Sequence, residues 1–159
     1  MELRVTSIKE AKRSLNTLKL SNIKAIIISS YKDDIDTISD ENKLLIEFDD
    51  LNYQCQNSFN RNLAKKIKEF IAKIDLDKNK LYVCCDSGES RSSAVAACIL
   101  RKYGENENKI WKDASYHPNI LVYSILCEEL GLKNSKIRLK YKTYINNKAL
   151  QKKIKFAKK

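Results

Sequence analysis

Two periods of apolar spacing alternate along this chain. IKAIIIS (23–29) is a dense β-branched run that reads as a buried strand. Leu3 to Thr6 predicts a shorter strand, NKLLIEFDD (42–50) a third that ends in two acids, and KLYVCC (80–85) a fourth. Between these runs the period becomes helical. Ser7 precedes IKEAKRSLNTL with Glu10 in capping-box position, a helix start. NSFNRNLAKKIKEFIAKI (57–74) sets Phe59, Leu63, Ile67, Phe70, Ile71 and Ile74 on one helical face. RSSAVAACILRKYG (91–104) predicts a further helix with Gly104 at its C-terminal stop, and NENKIWKDASYHPN (106–119) a short helix and a loop. Pro118 opens the last clear helix, NILVYSILCEELG, which closes at Gly131. Strands alternating with helices predict an α/β fold built on a layered sheet.

Composition narrows the class. A chain of 159 residues, 43% of them hydrophobic, is long enough for one domain with a real core. The opening MELRVTSIKEAKRS holds no apolar run of signal-peptide length, and no stretch approaches a membrane span, so a cytoplasmic protein is expected. The five cysteines are odd in number and lack CxxC spacing, and there is one histidine, which disfavours a disulfide framework and a metal centre. Charge divides the chain at Lys133. All 20 acids precede it, and the 11 Lys and Arg from there onward equal the whole net charge of +11. Residues 1–132 therefore form the candidate catalytic domain, and 133–159 a basic extension that is part of that domain or packed on it.

The stretch LYVCCDSGESRS (81–92) places Cys85 at the end of a buried strand and Arg91 at the start of a helix. A strand, a loop and a helix N-terminus gather backbone N–H groups around an anion. Gly88 permits a turn that a β-carbon would resist. A thiol there is favoured as the nucleophilic thiolate by the helix N-terminus and the guanidinium. Arg91 can hold two phosphate oxygens at once, and Ser92 can donate a hydrogen bond to sulfur. Strand alternation turns Cys84 away from Cys85, towards the core.

The pattern C-D-S-G-E-S-R-S, followed by an Ala/Val-rich helix, resembles the signature loop of the cysteine-dependent protein tyrosine phosphatases. It is most similar to the compact dual-specificity-like members, and YHPNILVY (116–123) is similar to a Pro-Asn helix start in those proteins. The resemblance implies a central, mostly parallel sheet of four or five strands flanked by helices, with the site at the strands' C-terminal ends. It implies Cys85 as the nucleophile on phosphorus, Arg91 as the phosphate ligand and Ser92 as an aid to the departing sulfur. The backbone of Asp86, Ser87, Gly88, Glu89, Ser90 and Arg91 would line the phosphate cradle, with no metal or other cofactor. An aspartate after an earlier strand would be the general acid; the alignment favours Asp50 over its neighbour Asp49. The family usually has His before the nucleophile, and this chain has Cys84.

Asp86 and Glu89 in the loop argue against polyphosphorylated inositol lipids, whose phosphatases in the resembled family tend to carry basic residues there, so a phosphorylated protein, phosphotyrosine foremost, is the expected substrate and partner. The tail interleaves Lys and Arg with Tyr141, Tyr144 and Phe156, which fits a solvated appendage or electrostatic attraction to RNA or another acidic partner. Trp111 and Tyr116 read as core, and His117 as a loop residue. Three other functions remain open from sequence: a non-catalytic phosphate-binding module, an RNA 5′-phosphatase, and a rhodanese-type sulfurtransferase.

Overall fold

The structure, a computed structural model, describes residues 1–16, 22–31 and 33–157. The expected first helix ran to Leu18; its last two residues, Thr17 and Leu18, lie outside the described residues, as do Lys158 and Lys159 of the tail. Four strands, β1 (Glu2–Ser7), β2 (Ile23–Ser29), β3 (Lys43–Glu47) and β4 (Lys80–Cys85), pair in the order β1-β4-β2-β3. Every pairing is parallel. The register sets Cys85 of β4 beside Ser7 of β1 and Ile28 of β2, so three strands end together at one edge.

Parallel strands need crossovers, and the helices supply them on both faces. One face carries α2 (Arg61–Ala72), α3 (Arg91–Lys102) and α5 (Ile120–Glu129), packed on Ile26, Ile28, Leu81, Val83 and Cys85. The other carries α1 (Ile8–Leu15) with Ile35 and Ile38, packed on Ala25, Ile27, Tyr82 and Cys84. Alternation along β4 therefore divides the adjacent cysteines between two cores. α3 is the central helix: every residue from Arg91 to Leu100 is buried.

Local chemistry sets the boundaries. Ser7 Oγ accepts from the Glu10 N–H at 3.2 Å and the Glu10 carboxylate accepts from the Ser7 N–H at 3.3 Å, the reciprocal cap that starts α1. α2 begins later than its apolar spacing predicts, at Arg61 rather than 57. Asn60 is the reason, since its backbone is extended and its side chain accepts from the Leu63 N–H at 3.1 Å, which leaves Phe59 ahead of the helix. Asn119 does the same for α5, taking the Val122 N–H at 3.0 Å, so Pro118 stands outside the helix it was expected to open. β3 stops at Glu47, opposite the last residue of β2, because an edge strand has no other partner to extend it.

A short helix α4 (Asn108–Trp111) precedes α5, and the basic tail forms a long one, α6 (Lys136–Ala157). Leu139 and Ile145 of α6 pack against the main core, and polar groups complete its anchorage. Lys142 Nζ lies 3.0 Å from the buried Glu107 carboxylate, which also pairs with Arg138. Asn146 Nδ2 donates to the carbonyls of Trp111 at 3.2 Å and Tyr116 at 2.8 Å. Among the described residues no helix is long and apolar enough to cross a membrane.

Candidate active site

The loop from Cys85 to Arg91 closes over the end of the sheet. Gly88 adopts φ +78° and lies so near β1 that a Cβ would sit 2.4 Å from the Ser7 nitrogen and 2.5 Å from the Thr6 carbonyl carbon. Only glycine meets both demands. Its N–H is thereby turned inward and donates to Cys85 Sγ at 3.2 Å. Ser92 Oγ stands 3.0 Å from the same sulfur, and both side chains are buried. Ser93 braces the helix start from behind, donating to the carbonyls of Glu89 at 2.5 Å and Ser90 at 2.9 Å. Burial, with a smaller contribution from the neighbouring Cys85, pushes the Cys84 thiol up to about 12, so Cys84 stays protonated at neutral pH.

Arg91 is 5% exposed, and each nitrogen of its guanidinium has a different fate. Nη1 donates to Ser30 Oγ at 2.9 Å and to the Phe48 carbonyl at 2.8 Å, which fixes the group between the ends of β2 and β3. Nη2 donates to the Asp86 carboxylate. Nε is buried and finds no hydrogen-bond partner among the described residues. A buried charged donor without a partner is costly, so an anion is the natural complement to that edge.

The two candidate acids go different ways. Asp50 Oδ1 accepts from Ser90 Oγ at 2.9 Å and from Asn119 Nδ2 at 2.7 Å, which brings the carboxylate against the cysteine loop. Asp49 lies with Ser30, Gln56, Asn57 and Ser58 along a polar cleft of about 320 Å³, and its N–H donates to the Asn57 carbonyl at 2.8 Å. Asn119 joins the pieces. Besides capping α5 and holding Asp50, it donates to the Leu51 carbonyl at 3.1 Å, and its own N–H donates to the Ser90 carbonyl at 3.3 Å.

Sequence reading passed over Asn119 and Ser30. A Pro-Asn pair before an apolar run signals a helix cap, but nothing local says that the same amide reaches two loops. Ser87 and Glu89 are exposed, the former accepting from the Glu89 N–H at 3.3 Å. His117 is exposed as well, and its backbone N–H ties to the Glu89 carbonyl at 3.0 Å. Trp111 is buried, donating to Glu107 at 3.2 Å, and Tyr116 is half-buried.

A family model described as the Rit1 DUSP-like domain matches residues 42–154. The chain belongs to that family. The match takes in β3, the cysteine loop and most of α6. The Rit1 DUSP-like chain also superposes on the Cydia pomonella PTP-2 phosphatase with a TM-score of 0.57 at 17% identity, over 79% of this chain and 84% of that one. The human tyrosine phosphatase-like serine/threonine/tyrosine-interacting protein gives 0.56 at 21% identity, over 79% and 89%. No curated protein matches the sequence. At such identities the likeness concerns the fold, and this Rit1 DUSP-like chain has the compact, dual-specificity-like architecture of the protein tyrosine phosphatase superfamily.

Proposed function

We propose that the chain hydrolyses phosphomonoesters through a phosphocysteine intermediate, with phosphotyrosine in proteins as the foremost substrate and phosphoserine or phosphothreonine tolerated. The carrying observation is the orphan Nε of buried Arg91 in the loop that also points the Gly88 N–H at Cys85 Sγ. In this reading Cys85 attacks phosphorus while Arg91 and the amides of residues 86–91 hold the oxygens. Asp50, oriented by Ser90 and Asn119, protonates the departing oxygen. It then takes a proton from the water that attacks the phosphocysteine, and Ser92 donates to the sulfur as it leaves.

Hydrolysis of p-nitrophenyl phosphate tests this directly. Cys85→Ser should abolish turnover, and Asp50→Asn should lower kcat/KM roughly 100-fold for esters with poor leaving groups while sparing kcat/KM for activated ones. Pure wild-type protein without turnover would remove the hydrolase reading. Phosphopeptide binding in that case would mark a non-catalytic phosphate-binding module.

A second reading keeps the chemistry and moves the phosphate onto RNA. Two points favour it: the matching family is named for an initiator tRNA, and α6 exposes Lys136, Lys140, Lys148 and Lys152 alongside Tyr141 and Tyr144. We take the basic extension as part of the same domain, since Lys142 and Asn146 anchor it. Rates on phosphotyrosine peptides and on 5′-triphosphate RNA, with and without Lys140→Glu and Lys148→Glu, separate the two.

A further inference from the structure

Asp86 directly follows the candidate nucleophile, and its carboxylate accepts from Arg91 Nη2. That contact bears on how the loop takes an anion. Nε–H and Nη2–H point along the same edge of a guanidinium, the edge that grips two oxygens of a carboxylate or phosphate. The opposite nitrogen, Nη1, is committed to Ser30 and the Phe48 carbonyl. An arriving phosphate therefore meets one unpartnered donor, Nε, and one donor already held by an anionic oxygen. The Arg91 side chain is 6% exposed and that of Asp86 is 38% exposed, so the arginine is fixed and the aspartate is the partner with room to move.

We propose that Asp86 is a tethered competitor for the Arg91 fork, an internal carboxylate that substrate phosphate displaces. It thereby sets the loop's affinity for oxyanions and its preference for single phosphates over neighbouring ones. The proposal rests on residues 85–92 being a phosphate-binding loop. Two anions on one guanidinium repel, so the carboxylate swings towards solvent as phosphate enters. A second phosphoryl group beside the first meets the displaced carboxylate again and is disfavoured more strongly. The selectivity is thus built from a like charge placed against the wrong ligand, rather than from an extra contact with the right one.

Isothermal titration with inorganic phosphate and with pyrophosphate, on wild type and Asp86→Asn, tests the idea without requiring turnover. Removing the competing charge should tighten phosphate roughly tenfold, the size of a charge-assisted hydrogen bond, and tighten pyrophosphate by more. Asp86→Ser gives the same reading should the amide disturb the loop, with a thermal melt of each variant confirming that it folds. Unchanged or weaker phosphate binding in a folded variant overturns the proposal, as does a loop that binds no phosphate in any form. Tighter binding in a protein that fails to hydrolyse p-nitrophenyl phosphate upholds the role of Asp86 and overturns only the hydrolase reading.

Discussion

Gly88 shows how much one residue can decide here. Its positive φ and the 2.4 Å approach a Cβ would make to the Ser7 nitrogen leave no room for another side chain. Gly88→Ala should destabilise the fold by about 2 kcal/mol or more, read from the urea midpoint, and should disorder the turn that aims an N–H at Cys85. Asn119 is the second such position. Asn119→Ala removes the cap of α5 and the donor to Asp50, at a cost of roughly 1–2 kcal/mol for the cap alone. If it positions Asp50, its kinetic defect should grow as the leaving group worsens. It should also fail to add to that of Asp50→Asn in the double variant. A purely structural role would leave the defect independent of leaving group. Cys85, Gly88, Arg91 and Ser92 were visible in sequence as a candidate site because they lie close together between one strand and one helix. Asn119, Ser30 and the Asp86–Arg91 pair were not, because each joins chain segments whose approach no local pattern encodes.

At the scale of elements, α6 is the one whose anchorage the sequence leaves unstated. Its lysines and scattered apolar residues fit a solvated appendage as well as an extension packed on the domain, and its docking point is Glu107. Glu107 is 4% exposed; burial raises its carboxyl, but donors from Tyr123 at 2.6 Å, Lys142 and Arg138 outweigh this and hold it below the usual range. At Lys142 the balance reverses, and burial outweighs Glu107 so that the ammonium is held below the ordinary lysine value. The sign of the pH effect follows from the carboxylate. With the folded value below the unfolded one of about 4.3, Glu107 adds stability that is fully present above that value. The contribution is lost as pH falls through the lower, folded value. Glu107→Gln should therefore flatten the acid limb of a stability-against-pH curve. It should also cost roughly 3–5 kcal/mol near neutrality, because Lys142 is left buried without its counter-charge. A variant with wild-type melting at pH 7 would show the cluster to be energetically idle. The capped helices and apolar strands were readable because their signals repeat every two or four residues. The partner of α6 was not, since one glutamate in a polar stretch looks like any other.

For the molecule as a whole, the parallel sheet with helices on both faces places three strand ends at one edge, and the candidate site stands there. β2 lies inside the sheet, and Ser30, the residue after it, accepts from Arg91. Ile26→Ala, at a fully buried point of that strand, should cost about 2–5 kcal/mol and lower the melting temperature without moving the Arg91 contacts. Charge belongs to this scale too, because the whole excess lies in residues 133–159, most of it on α6. Lys140→Glu with Lys148→Glu should leave p-nitrophenyl phosphate turnover unchanged. If RNA is the partner, the pair should flatten the salt dependence of RNA binding. The sequence by itself determined the alternation of strands and helices, the two-faced burial of β4 and the place of the cysteine loop between β4 and α3. Those depend on neighbours in the chain and on periods of two or 3.6 residues. Only the tertiary structure decided which aspartate meets the loop, what holds Arg91 and what anchors the basic helix. Each of those is a polar contact between distant segments, and its partner is chosen by the packing of the sheet.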